Sequence, residues 1–450
     1  MDPRYGFPDG RAGAFRSVGE TAGIFRALIE IDEVNRTQGA SRLIEPRALS
    51  ATHLREKTMS AMNPNPCSVA LGALLLCLAQ PLLAQKGGTA PPPPVADAVP
   101  DTQTRVVDPA TLTSLDALVT KLADRRVIFV GESHDRYEDH LNQLAVIRGL
   151  HEQDLDLAIG MEMFQQPFQP ALDAYIAGEI SEEEMLRRTD YFERWRFDYR
   201  LYRPILRYVR EHGIPVIALN LDREITAKVG KDGLEGLDEG QRAQVPADMD
   251  RDDPAYRERI KQVFDRHPME EGKDFENFLL VQLLWDEGMA ARAAAYLEGQ
   301  PDKRLVVLAG QGHLEYGQGI PQRLLRRLPA SSAILLNGWP REMDPKAADY
   351  LLFPQPLELP ATGRLGVLLD TDGQGSGVGV QGFGDKSGAA AAGIKEGDRI
   401  VRVGGQEVAI YADIRLALID SLPGQKVPVE VERLSAESQP ERLTLEVELH

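Results

Sequence analysis

The sequence predicts an α/β protein, with a mainly parallel central sheet flanked by helices and a small α+β domain after it. Three observations predict this. Short apolar runs alternate with amphipathic segments from Arg105 to about Pro356, the pattern of strands and helices in one layered sheet. Several runs, such as Val127–Val130, have no polar interruption, which suits strands covered on both faces. Beyond residue 356 the texture shifts to Gly- and Val-rich short strands around one helical segment.

In chain order, the strands are expected at Val127–Val130, Leu157–Glu162, Val216–Leu219, Leu305–Ala309 and Ala333–Leu336. Helices are expected at Leu141–Glu152, Arg200–Glu211, Phe275–Leu297 and Pro321–Leu328, with Asp222 placed to cap a helix after the third strand. Trp285 and Met289 fall on the packed side of the long helix. The stretch Gly230–Pro268 is charged and broken by Gly and Pro, and reads as a lid or a small helical insertion. Residues 105–356 thus form one domain and 358–450 a second, with a helix at Ala412–Ser421.

The 450 residues exceed one ordinary core, and two domains plus extensions are expected. A net charge of −18 argues against nucleic acid as a partner. Both cysteines, Cys67 and Cys77, lie in or beside the apolar stretch Val69–Ala84. That stretch is short for a membrane span and is interrupted by Pro81. It reads as the core of a signal peptide over residues 59–84, cleaved before Gln85, with lipidation at Cys77 as the alternative. Residues 1–58 are then a leader, and the Pro-rich residues 85–104 a linker. On this reading the protein is exported, to the periplasm or cell envelope. The competing reading is a genuine N-terminal extension with Val69–Ala84 as a buried helix.

The chemistry collects where strands end. The stretch "VIFVGESHDRYEDH" passes from a core strand straight into Glu132 and His134. "LDLAIGMEMF" ends in Glu162, and "RLVVLAGQGHLEYG" ends in a glycine-rich turn carrying His313. Ligands gather beyond the carboxyl ends of strands in open α/β sheets. Two histidines and two glutamates there suit either a divalent-metal site or an acid/base centre. In the metal reading His134 and His313 are neutral-imidazole ligands, while Glu132 and Glu162 are a ligand and a general base in an order left open. A lone Glu or His at a strand end often only caps a helix or pairs with an arginine, and Arg223 is at hand. The aromatic group Trp195, Tyr199 and Tyr202 reads by spacing as a core face. There is no C-x-x-C-H, no P-loop, no dinucleotide fingerprint and no G-x-S-x-G elbow.

Together "FVGESHDRYEDH", "GMEMFQQPFQPALDAYIAGEIS", "FDYRLYRPILRYVREHGIPVIALNLDREI", "LLWDEGMA" and "GQGHLEYGQGIPQRL" resemble the ChaN-like haem-binding proteins. These belong to the wider Tiki, TraB and erythromycin-esterase-like superfamily, and the match covers roughly residues 120–340. The resemblance implies an envelope-associated haem-binding protein in iron uptake, with an outer-membrane partner, in some members a homodimer with two stacked haems. It implies a tyrosine on the haem iron, for which Tyr199 and Tyr202 are the candidates, with His134 and His313 contacting or flanking the porphyrin. The hydrolytic branches imply instead that Glu132, His134, Glu162 and His313 are catalytic. The second domain resembles PDZ domains of bacterial periplasmic proteases, through "GRLGVLL" and "SGAAAAGIKEGDRIVRVGGQEV". That implies binding of extended peptides or C-termini. The amides of Leu365, Gly366 and Val367 would face the terminal carboxylate, Arg364 would add charge, and Leu365 and Val367 would line the side-chain pocket.

Overall fold

The computed structural model describes residues 109–266, 274–338, 344–370, 376–434 and 440–450. The expected signal peptide, linker and Cys77 lie outside the described residues.

The first sheet is built from β1 (Val127–Glu132), β2 (Leu157–Gln165), β3 (Val216–Asn220), β4 (Arg304–Gly310), β5 (Ser332–Asn337) and β6 (Tyr350–Leu352). Its order is β3-β2-β4-β1-β5-β6, and every pairing is parallel. Side chains alternate between faces, as a period of two requires. Ile128, Val130, Ile159, Met161, Val306 and Leu308 pack on one side with Val146, Leu150 and Val209. Val127, Phe129, Ala158, Ile217, Leu305 and Val307 pack on the other with Val229, Ala293 and Leu324. Helices Tyr137–His151 and Arg203–Glu211 therefore cover one face, and Arg223–Asp232, Phe275–Gly299 and Ile320–Arg327 the other.

All five expected strands form, each reaching one or more residues further than its apolar run. The extension carries Glu132, Met163–Gln165, Asn220, Gly310 and Asn337 onto the carboxyl edge. Asp222 caps its helix, its side chain accepting from the Glu224 amide. The expected helix Arg200–Glu211 divides into a 3-10 turn at Tyr199–Leu201 and a helix from Arg203, with Pro204 in its first turn. The described part of the segment, residues 230–266, is a helical insertion, whose helix Pro254–Arg266 sets Tyr256 and Ile260 against Leu283. Two helices, Gln169–Ile176 and Glu182–Arg188, went unanticipated because neither short segment carries a marked apolar stripe in its sequence. Ser181 caps the second, with Glu182–Glu184 at its start and Arg187–Arg188 at its end, the order that complements the helix dipole.

The second domain is a five-stranded antiparallel sheet of β7 (Val367–Asp370), β8 (Val378–Phe383), β9 (Arg399–Val403), β11 (Lys426–Leu434) and β12 (Pro440–Glu448), in the order β12-β11-β9-β8-β7. The short β10 (Gln406–Glu407) pairs with β9. Its helix runs over Tyr411–Ala417 and stops short of the expected Ser421. This helix also meets the first domain, since Ala412 and Leu416 are buried in the same cluster as Leu186 and Phe192. Arg187 pairs with Asp413, Arg203 with Asp420, and Arg200 donates to the Pro360 carbonyl at 2.7 Å.

Candidate functional site

The carboxyl edge of the first sheet holds two linked carboxylate–imidazole groups. At the end of β1, His134 Nδ1–H donates to Glu132 Oε1 at 2.5 Å. Glu132 is buried, and its Oε2 has no hydrogen-bond partner although His140 Nε2 stands 3.9 Å away. His140 itself is fully buried, with Gln143 Oε1 and the His134 carbonyl each 3.2 Å from a ring nitrogen, and its one N–H as a neutral ring donates to only one of them. Burial lowers its pKa against the pull of Glu132, so it is neutral. The His134 ring is walled by Trp195 and Phe197, with centroids at 4.9 and 4.8 Å.

The second group joins β2, β4 and the long helix. Glu162 Oε2 accepts from the Gly310 amide at 2.7 Å, and its Oε1 lies 3.3 Å from His313 Nε2. His313 Nδ1–H donates to Asp286 Oδ1 at 2.6 Å, and Tyr256 Oη–H donates to Asp286 Oδ2 at 2.7 Å. Burial pushes Glu162 up, but the charge and hydrogen bond of His313 overcome it and hold the carboxyl at about 2. Burial likewise lowers His313, yet Glu162 and Asp286 together lift it well above the ordinary histidine range. His313 is therefore an imidazolium clamped between two carboxylates.

Gly310 brings the groups together. A Cβ there would meet His134 Cε1 at 2.9 Å and Glu162 Oε2 at 3.6 Å, so both side chains close over one backbone position that tolerates no side chain. The Glu132, His134, Glu162 and His313 expected at strand ends thus do share one edge. The four side chains are joined as carboxylate–imidazole pairs. Among the described residues no group of three or more His, Cys, Asp or Glu is arranged to hold a metal ion. A carboxylate held at about 2 is also a weak base, which leaves His134, oriented by Glu132, as the better proton acceptor.

Tyr199 and Tyr202 are placed differently from a haem ligand. Both are fully buried. Tyr199 Oη–H donates to Glu182 Oε2 at 3.2 Å, while Tyr202 Oη accepts from Trp195 Nε1 at 3.0 Å. Burial lifts both phenols well above the ordinary tyrosine range. The aromatic core that spacing suggested describes both, and each phenol is engaged by a neighbouring side chain.

Sequence reasoning missed Asp286, Tyr256 and His140. The signal for Asp286 was present: "LLWDEGMA" sets two acids inside an otherwise apolar helix, and both are buried. A buried acid in such a helix needs partners, and Asp286 has His313 and Tyr256.

In the second domain β7 is the edge strand of its sheet, paired among the described residues with β8 alone. Gly366 has φ of 75°, and a Cβ there would clash with the Lys386 carbonyl, so glycine is required. Leu365 is 3% exposed and packs within the domain core. The backbone of Arg364 pairs with His450 through two hydrogen bonds, at 3.0 and 3.1 Å. Val367 is half-buried at the start of the open edge.

Residues 118–324 match the family model described as "Haem-binding uptake, Tiki superfamily, ChaN". Residues 363–449 match the PDZ domain model. Over 265 residues the chain is 24% identical to "Protein RETICULATA-RELATED 5, chloroplastic" of Arabidopsis thaliana, covering 52% of this chain. It spans about a third, 34%, of that curated relative's length. The solved structure of cofacial haem binding to ChaN of Campylobacter jejuni is 20% identical, covers 54% of this chain and 92% of its own, and has a TM-score of 0.44. An HtrA-type protease, AlgW with a decapeptide, is 28% identical over 20% of this chain and 30% of its own, with a TM-score of 0.17.

Proposed function

On the premise that this chain carries a ChaN-like haem-binding domain of the Tiki superfamily followed by a PDZ domain, we propose that it is an envelope-associated protein that binds haem in iron or haem handling and docks peptides through its second domain. The match of residues 118–324 to a haem-binding family carries the first part. Haem titration of the purified chain tests it, with absorption spectroscopy and elemental analysis on one sample. Saturable binding near one haem per chain is expected, and spectra that superpose on free haem would refute it. For the second part, a peptide would add as a strand beside Val367–Asp370, because an open edge supplies unpaired backbone groups. A C-terminal peptide library screened on the full chain should yield binders that Gly366→Val abolishes.

A second reading rests on the Asp286–His313–Glu162 relay beside the Glu132–His134 pair. It is a hydrolase centre in which His134 takes a proton from water while Glu132 holds its tautomer. His313, kept charged, fixes Glu162 as a carboxylate that polarises or orients the substrate. His134→Ala should then cost about 100-fold or more in turnover, against a panel of esters and amides. A variant as active as the parent would remove this reading.

A further inference from the structure

Helices Tyr137–His151 and Arg203–Glu211 end together. His151 is the last residue of one, and His212 caps the C-terminus of the other. Their rings meet with centroids 4.9 Å apart and planes at 75°. One residue holds both. The Tyr208 carbonyl accepts from His212 Nδ1–H at 2.9 Å, and the Tyr208 hydroxyl oxygen lies 2.9 Å from His151 Nδ1. The Tyr208 ring also stacks on His212, with centroids at 4.2 Å and an interplanar angle of 33°.

A carbonyl can only accept, so the neutral His212 ring carries its proton on Nδ1 and its lone pair on Nε2. His151 has the same arrangement when its Nδ1–H donates to the phenol oxygen. Histidines that ligate metal hold their other ring N–H on an oxygen in this way. The spacing fits as well. With Zn–N at about 2.0–2.1 Å and tetrahedral angles, two imidazoles on one ion have ring centres roughly 5 Å apart.

The open cleft around the pair favours a cation. Glu152, Asp154 and Glu211 line it, and the two helix C-termini add partial negative charge. The opposing cations are Arg148 and Arg207, and Arg207 is already paired with Glu182 at 3.0 Å. Burial, then Glu152 and Glu211, raise the Tyr208 pKa against the pull of Arg148, so the field of the acids prevails at the residue that anchors both rings.

We propose that His151 and His212 chelate a divalent cation of the zinc class, at a site separate from the strand ends. The two Nε2 atoms bind the ion, water completes its coordination, and Glu152 and Glu211 balance its charge from the rim. Imidazole nitrogen suits zinc, copper and nickel, whereas magnesium and calcium take oxygen ligands. Two protein ligands are fewer than a closed structural site uses, in keeping with the lack of any three-residue group among the described residues. The bound ion is therefore exchangeable.

Zinc chloride titrated into the full, chelator-treated chain tests the site, with binding read by calorimetry and the histidine ring nitrogens by NMR. Wild type should bind an ion that moves the Nε2 signals of His151 and His212, while magnesium at equal concentration moves neither. Tyr208→Phe, which removes only the phenol support, should weaken this binding about 10-fold. His151→Ala or His212→Ala should weaken it further, and His134→Ala should leave the His151 and His212 shifts in place. Circular dichroism on each variant checks folding. Zinc that shifts only His134 or His313 would overturn the site. So would His151 shifts that persist unchanged in His212→Ala, or a wild type that binds no zinc.

Discussion

A carboxylate that stays ionised under burial needs a cation, and at Glu162 that cation is His313, itself held by Asp286. The pair has opposite linkage signs. Glu162 is depressed from 4.5 to about 2, so its contribution to stability is complete above about pH 4.5 and is lost as pH falls toward 2. His313 is raised above 6.5, so its contribution is complete below that value and is lost as pH rises through the elevated folded pKa. Asp286→Asn removes one of the two charges that lift His313. The imidazole should then titrate at a clearly lower pH by NMR, with the alkaline loss of stability moving down alongside it. An unchanged His313 titration would mean that Asp286 does not support the charge. At this scale the sequence exposed the chemistry but not its pairings. Glu132, His134, Glu162 and His313 were recognisable because each follows an apolar strand. Their partners Asp286 and Tyr256 sit far off in the chain, and only folding sets them at 2.6 and 2.7 Å.

The helix Phe275–Gly299 shows what an element must do to keep buried charge. Asp286 and Glu287 are adjacent, so they project in different directions from the axis, one to the site and the other away from it. Glu287 is fully buried and collects Arg323 at 3.3 Å, Arg326 at 3.0 Å and Arg327 at 2.7 Å. It also accepts the Asp250 amide at 2.8 Å. This cluster ties the helix to Ile320–Arg327 and to the helical insertion, and it anchors the element from which Asp286 reaches His313. Glu287→Ala would leave the buried Arg323 without its ion partner, a loss of about 3–5 kcal/mol for such a break. Urea unfolding should show it as a lower midpoint at unchanged slope, and a loss under about 1 kcal/mol would reduce the cluster to a surface-like one. Strands were legible because uninterrupted runs such as Val127–Val130 admit little else. The helix Gln169–Ile176 was not, since its apolar residues form a weaker stripe than those of the equally short, strongly amphipathic Ile320–Arg327.

At the scale of the whole molecule, the described domains share a core rather than hanging from a linker. Ala412 and Leu416 of the second domain are buried in the first domain's cluster, and Arg415 lies 5.3 Å over the Phe192 ring. The segment they press on, Glu182 to Arg203, is the same one that supplies Trp195 and Phe197 to His134 and Tyr202 to His140. The change of sequence texture near residue 356 separates the domains, but nothing in it reveals that a helix of the second completes the aromatic wall of the first. Ala412 and Leu416 read only as one more apolar stripe. Shared burial of this kind makes two domains unfold together, because neither can open without exposing the other's apolar face. Scanning calorimetry of the protein should therefore give one transition. Leu416→Asp, with Arg187→Ala to remove the ion pair with Asp413, should split it into two, and the His134 ring signals should shift as the Trp195–Phe197 wall loosens. Two transitions already present in the parent would mean that the domains are thermodynamically independent and that peptide docking has no route to the strand-end site.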